Sequence, residues 1–145
     1  MATQVQVQKH DTAVVESVLN DLWHVSLTIR NVFPRFETWR RAVNIVLTLV
    51  KHCDGCDEGL TVFELSRLTG IHHSTMKHYV EKLCSLGLIR KRFALKKSGN
   101  GYICVYSANA TSVLQKALEI LQGEIEQKQR LVRRIKTVLS QHDHS

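Results

Sequence analysis

Two helical segments joined by a very short turn, in the middle of the chain, leave few folds open. Thr61 and Glu64 have the spacing of a capping box, in which each side chain accepts a hydrogen bond from the other residue's backbone amide, so a helix begins near Thr61. Gly70 ends it, because glycine tolerates the left-handed backbone of a tight turn. Residues 71–86 form a second helical pattern, closed by Gly87. This arrangement predicts a helix-turn-helix.

Apolar residues at helical spacing define the buried faces of these helices and predict two helices before them. The first runs over 11–33, with Asp11 as a cap, and Pro34 separates it from a second helix over 37–52. The residues expected to face inward are, in chain order, Val14, Val15, Val18, Leu19, Leu22, Val25, Ile29 and Val32; Trp39, Ala42, Val43, Val46, Leu49 and Val50; Val62, Leu65 and Leu68; and Ile71, Met76, Val80, Leu83 and Leu86.

A β-hairpin is predicted directly after the helix-turn-helix. Residues 88–95 and 102–107 are rich in β-branched and aromatic residues, and they flank the turn-forming sequence KKSGNG. A basic hairpin in this position corresponds to the wing of a winged helix-turn-helix. The fold class expected is therefore mainly α with a small β-hairpin wing (α+β).

The stretch LTVFELSRLTGIHHSTMKHYVEKLCSLGLIRKR, followed by the basic hairpin, resembles the winged-helix core of MarR-like and TrmB-like transcription regulators over about residues 38–107. The resemblance implies that the helix over about 72–86 reads the major groove of double-stranded DNA while the wing, 90–101, lies on the backbone or minor groove. The residues implied to face DNA are His72, His73, Ser74, Thr75, Lys77, His78 and Lys82 on the helix, and Arg90, Lys91, Arg92, Lys96 and Lys97 on the wing.

The charge distribution favours a polyanionic partner independently of that resemblance. The chain carries 20 Lys and Arg against 13 Asp and Glu, a net charge of +7. Between 71 and 97 there are seven basic residues and one acid, Glu81, so this stretch has a net charge of +6. The alternative is that Arg90, Lys91 and Arg92 only solvate an exposed hairpin, as charge runs commonly do.

A heptad pattern from about 111 to 141 predicts a helix that needs a partner helix. Residues recur at alternating spacings of four and three, and Lys128 is the polar member: Leu114, Leu118, Leu121, Ile125, Lys128, Val132, Ile135 and Leu139. In MarR-like proteins the terminal helices jointly build a dimer interface, so a homodimer is expected. The alternative is that this stripe packs within the chain against residues 11–33.

The predicted organisation is a flexible amino terminus (1–10), an amino-terminal dimerisation helix (11–37), the winged domain (38–107) and a carboxyl-terminal dimerisation helix (108–142). We identify neither a secretory signal nor a membrane-spanning stretch, so a cytoplasmic, nucleoid-associated protein is expected. No cofactor is expected. No catalytic motif of the hydrolase, nucleotide-binding or zinc-protease type is present, which argues against an enzyme.

Cysteine and histidine clusters could form sites of another kind. Cys53 and Cys56 form a C-x-x-C pair that suggests redox sensing, although an ordinary turn with incidental thiols is favoured. A second pair of zinc ligands at suitable spacing is missing, and His73 and His78 are five residues apart rather than four, so no metal site is predicted.

The functional expectation is a dimeric, sequence-specific regulator of transcription. Two other readings remain: an architectural DNA-binding protein with little sequence preference, and a winged-helix module of the transcription machinery that contacts proteins. The sequence leaves open the operator, the sense of regulation, the pairing direction of the last helix, and whether a small effector or the redox state of Cys53 and Cys56 controls binding.

Overall fold

The computed structural model describes residues 11–53 and 59–143, and within them it confirms the predicted fold class. The predicted flexible terminus 1–10, Cys56 and the side chains of Asp11 and Cys53 lie outside the described part. In chain order the elements are α1 (Asp11–Val25), α2 (Leu27–Val32), α3 (Phe36–Cys53), α4 (Val62–Thr69), α5 (His73–Ser85), β1 (Arg90–Leu95), β2 (Tyr102–Ser107) and α6 (Ala110–Asp143).

The central element is α3, against which α1, α4, α5 and β2 all pack. Its six predicted core residues are all buried. The Trp39 indole donates a hydrogen bond to the Leu19 carbonyl at 2.8 Å, which ties α3 to α1. The Phe33 ring lies 5.4 Å from Trp39 and stacks on Tyr79 of α5 at 6.1 Å between centroids. One continuous core therefore joins the amino-terminal helices to the helix-turn-helix.

The single helix predicted over 11–33 is wrong, because the helix breaks at Ser26. Ser26 is fully buried, and its Oγ accepts a hydrogen bond from the Ile29 amide at 3.2 Å as the N-cap of α2. The same hydroxyl donates to the Glu124 carboxylate of α6 at 2.6 Å, and the Thr28 amide donates to the same oxygen at 3.1 Å. The break is thus stabilised by a residue 98 positions away, which helical periodicity cannot reveal.

Three residues that were expected to face inward are exposed instead: Val14, Val25 and Leu68. In α1 the buried face of the helix includes fewer residues than the apolar positions of the sequence suggested. Helix α4 is so short that only its central Leu65 is fully buried. The first strand also begins two residues later than predicted, at Arg90. Leu88 and Ile89 lie in the bend after α5, and their side chains are buried in the core and are not part of the strand.

The base of the wing is anchored to the start of the helix-turn-helix by an isolated antiparallel bridge. Leu60 and Tyr106 exchange two backbone hydrogen bonds, each 2.8 Å long. Gly59, just before this bridge, has φ +30°, and a Cβ there would lie 2.8 Å from the Tyr106 carbonyl oxygen and 3.1 Å from the Val105 Cβ. Glycine is therefore required by both the backbone conformation and the close approach.

Helix α6 has two parts with different surroundings. Its first part packs against α1, with Val113 and Ala117 buried and Leu114, Ile120 and Leu121 half-buried. From 125 to 143, which we call the distal segment, every residue is exposed. At 1.5 Å per residue the distal segment extends roughly 28 Å. The predicted alternative of packing against 11–33 thus describes the first part of α6 only.

We predict that Gly59→Ala lowers the free energy of unfolding by about 2 kcal/mol or more, because the new Cβ adds a clash to the strain of positive φ. Gly99→Ala is the matched control, since Gly99 has φ +80° and a Cβ added there would have no atom within 4 Å. It should cost only about 1 kcal/mol. Urea unfolding measures both values, and equal costs would contradict the close-approach argument.

We also predict that Glu124→Gln destabilises the fold at neutral pH and not in acid. Burial by itself raises the pKa of the Glu124 carboxyl, but the hydrogen bonds from Ser26 and Thr28 outweigh it and the pKa lies below its ordinary value. A lowered folded-state pKa stabilises the fold above the unfolded pKa, and this stabilisation is lost as the pH falls through the folded-state value.

The expected loss at neutral pH is about 1 to 2 kcal/mol, as for a hydrogen bond to a charged acceptor. The difference between the two proteins should narrow as the pH falls below the ordinary glutamate pKa of about 4.3. Urea unfolding across this range provides the measurement. Glu126→Gln, an exposed carboxylate on the same helix, is the control. A loss for Glu124→Gln that stays constant with pH would refute the assignment.

Candidate nucleic-acid interface

The turn between α4 and α5 is built as the sequence predicted. Both halves of the capping box are present: the Glu64 amide donates to Thr61 Oγ1 at 3.1 Å, and the Thr61 amide donates to Glu64 Oε1 at 3.0 Å. Gly70 ends α4 in the left-handed conformation, with φ +77°. His72 then caps α5, since its Nδ1 accepts from the Ser74 amide at 3.3 Å. These local interactions fix where α5 begins.

One face of α5 is in the core and the opposite face is open to solvent. Met76, Tyr79, Val80 and Leu83 are buried. All seven helix positions that the resemblance implied to face DNA are exposed, and we call them the α5 surface: His72, His73, Ser74, Thr75, Lys77, His78 and Lys82. Hydroxyl, imidazole and ammonium groups are side chains that contact base edges and phosphates.

The two wing strands pair antiparallel, and their register divides the basic residues between two faces. Arg90 pairs with Ser107 and Arg92 with Val105, whereas Lys91 pairs with Tyr106 on the opposite face. All five predicted wing cations are exposed, with Lys96 and Lys97 in the turn. Tyr106 and Cys104, on the Lys91 face, pack against the core, so this face of the base of the wing is turned toward the body of the protein.

A groove of about 840 Å³ separates the base of the wing from the start of α6. Arg90, Arg92 and Lys116 line it together with Glu119. Lys116 also crosses over Gly87, where an added Cβ would lie 2.6 Å from its Cε. The groove therefore carries more positive than negative charge and extends the basic surface of the wing toward α6.

Two apolar features of this surface were not among the predicted site residues. Phe63 on α4 is exposed, and its ring centroid lies 5.2 Å from that of His73, which in turn lies 4.2 Å from His72. The inward positions predicted for α4 already placed Phe63 on its outer face. On the wing, Phe93, Leu95 and Tyr102 are also exposed, and the alternation of side chains along each strand could have identified their shared face.

Cys84, at the end of α5, has surroundings that disfavour reactivity. Burial raises the pKa of the Cys84 thiol, and the nearby Lys91 charge only partly offsets that effect. Cys84 therefore stays protonated near neutral pH and is a weak nucleophile. The redox prediction for Cys53 and Cys56 concerns side chains outside the described part. Within residues 11–53 and 59–143, no group of three His, Cys, Asp or Glu side chains could hold a metal ion.

Comparison with known proteins supports the fold. No protein-family model matches the chain, and no curated protein matches it in sequence. Among solved structures, it is similar to a protein from Methanosarcina mazei Go1 described as a "Possible transcriptional regulator", with a TM-score of 0.53 and 15% sequence identity. The superposition covers 74% of this chain and 84% of that chain. At this level of identity, the likeness is one of architecture.

In the two described ranges, no helix is both long enough and apolar enough to cross a bilayer.

Proposed function

We propose that this protein is a dimeric, sequence-specific DNA-binding regulator of transcription of the MarR-like or TrmB-like kind. The observation that carries the proposal is the α5 surface, a polar and basic helix face that is exposed beside a basic wing while the opposite, apolar face of the helix is in the core. An α-helix fits the major groove, and the proposed role of α5 is to present its first turns to base edges.

The proposed division of labour follows from side-chain chemistry. Arg90, Arg92, Lys96 and Lys97 neutralise phosphates, which gives affinity that depends on salt and not on sequence. His73 and Lys77, in the first turns of α5, make the contacts that distinguish base pairs. The regulator acts by occluding a promoter or by recruiting other factors to it.

The proposed homodimer rests on the distal segment of α6. Its large apolar side chains are each about half exposed, and they form one stripe: Ile125, Leu131, Val132, Ile135, Val138 and Leu139. Leu131 and Val138 lie beside the predicted heptad positions and widen the apolar stripe. A stripe of that width is typical of helices in a bundle, so the proposed interface includes α1 and α2, where Val14, Val25 and Leu27 are exposed.

A two-fold dimer has a consequence for the DNA target. Its two α5 helices would enter major grooves about 34 to 36 Å apart on one side of the duplex. The proposed target is therefore an inverted repeat whose half-sites are separated by one helical turn.

We predict that selection from a random pool of duplexes converges on such an inverted repeat. On the selected duplex, His73→Ala and Lys77→Ala should each reduce the preference over unrelated DNA by roughly tenfold, as loss of a base contact does. Arg92→Ala should weaken both duplexes alike and reduce the salt slope by about one. Fluorescence anisotropy at several salt concentrations measures these quantities.

Arg35→Ala is the control, because Arg35 is an exposed cation paired with Glu37 at 3.7 Å and lies outside the proposed interface. It should change neither preference nor salt slope. Salt-dependent binding without preference would replace the proposal with the architectural protein. Failure to bind any duplex would replace it with the protein-contact module.

We predict that Ile135→Glu with Leu139→Glu converts the dimer to a monomer, because two carboxylates would be buried in the apolar interface without partners. Thr137→Glu with Ser140→Glu is the matched control, since it adds two carboxylates to the other side of the same helix. Sedimentation equilibrium at micromolar concentration distinguishes the two states. A wild-type monomer, or equal effects of both pairs, would disprove the proposed interface.

A further inference from the structure

The wing carries an exposed apolar patch on a hairpin that is otherwise strongly basic. Phe93, Leu95 and Tyr102 are 66%, 61% and 69% exposed. Leu95 pairs directly with Tyr102, and Phe93 lies one position along the same face, opposite Cys104. Side chains in such positions lie within about 7 to 8 Å of one another. We call these three residues the wing patch.

The wing patch continues a face that is buried nearer the base of the hairpin. Tyr106 and Cys104 belong to this face, and Tyr106 is buried while Cys104 is half-buried against the core. Tyr102 lies two positions along the strand from the half-buried Cys104, so the patch projects about 7 Å beyond the covered part of this face. Its side chains are therefore exposed toward the tip of the wing and are not packed on the core.

The charges around the wing patch indicate what it contacts. From 82 to 118 the sequence contains seven Lys or Arg residues and no Asp or Glu. Lys91 Nζ lies 5.7 Å from the Phe93 ring centroid, so a cation lies beside an aromatic ring of the wing patch. A basic surface attracts the phosphate backbone, and apolar or aromatic side chains within such a surface contact bases, either as wedges or by stacking.

We infer that the wing patch is an apolar wedge that enters the minor groove beside the α5 site and partly unstacks one base step. This inference rests on the proposed DNA-binding function and deepens it. Phe93 and Tyr102 contact the opened step, and Leu95 fills the space between them. The wedge makes binding depend on how easily the flanking step unstacks, so pyrimidine-purine steps are preferred at a position that α5 does not touch.

The test uses the full chain and the duplex selected by the wild-type protein, with 2-aminopurine placed in turn at each position flanking the half-sites. Wild-type protein should raise the fluorescence at one flanking step and bend the duplex by at least about 20°, measured by energy transfer between its ends. Phe93→Ala with Tyr102→Ala should abolish both signals and weaken binding by about tenfold, while leaving the salt slope unchanged.

Two further variants separate a wedge from other roles. Lys96→Gln with Lys97→Gln should reduce the salt slope by about two and keep the fluorescence signal. Phe93→Leu should retain most of the signal, because leucine also serves as a wedge. Circular dichroism and thermal unfolding establish that each variant folds.

The outcomes distinguish this inference from the function on which it rests. If no duplex is bound at all, the proposed function fails. If the duplex is bound with the expected preference but the aromatic variant keeps the bend and the fluorescence, the wedge is overturned. If Phe93→Ala with Tyr102→Ala lowers thermal stability but keeps both the bend and the fluorescence signal, the patch only stabilises the hairpin. If the variant only shifts the protein from dimer to monomer, the patch belongs to a protein interface.

Discussion

The backbone bridge between Leu60 and Tyr106 fixes the geometry on which the candidate interface depends. Leu60 immediately precedes Thr61, the residue whose hydroxyl caps α4, so the wing is joined to the helix-turn-helix at its first residue. From that point the lengths of α4 and of the turn at Gly70 determine where α5 begins. Because Gly59 lets the two backbones approach closely, the bridge holds the base of the wing directly against the start of the helix-turn-helix.

The aromatic contacts around Phe33 make the outer helices part of the same structure as the helix-turn-helix. Phe33 lies between Trp39 of α3 and Tyr79 of α5, and Lys82 extends over its ring with Nζ 5.4 Å from the centroid. A side chain that ends the amino-terminal helices therefore contacts both the buried and the exposed face of α5. Since a close-packed core resists local deformation, movement of these helices would be transmitted to α5.

The elements that could be predicted from the sequence are those specified by neighbouring residues. The capping box at Thr61, the glycine at position 70 and the turn-forming sequence between the two wing strands act within a few residues, and each is present in the structure as expected. The inward positions of α5, among them Met76, Val80 and Leu83, could be predicted from their spacing for the same reason. The break at Ser26 could not be predicted, because the carboxylate that stabilises it belongs to Glu124 of α6.

Non-local packing also explains why the heptad pattern described α6 incompletely. Leu114 and Leu121 belong to the same heptad pattern as Ile135 and Leu139, but the first pair is half-buried against the core while the second pair stays exposed. The spacing of apolar residues in the sequence predicts that a helix has an apolar stripe. Only the tertiary structure shows which part of that stripe is packed against other helices of the chain. The wing patch was missed for a related reason, since strand alternation groups its members but only their exposure shows that the core leaves them uncovered.

The continuity of α6 bears on both the proposed dimer and the DNA target proposed for it. The helix runs without interruption for 34 residues, about 51 Å, from the packed part to the distal segment. If the distal segment forms the proposed dimer, the spacing between the two α5 helices is set by how rigidly α6 passes from one part to the other. Gly123 lies at this junction, where an added Cβ would have no atom within 4 Å, next to the Glu124 carboxylate that holds α2. A glycine inside a helix weakens it by about 1 kcal/mol relative to alanine, so bending of α6 would concentrate there and would vary the half-site spacing that the dimer accepts.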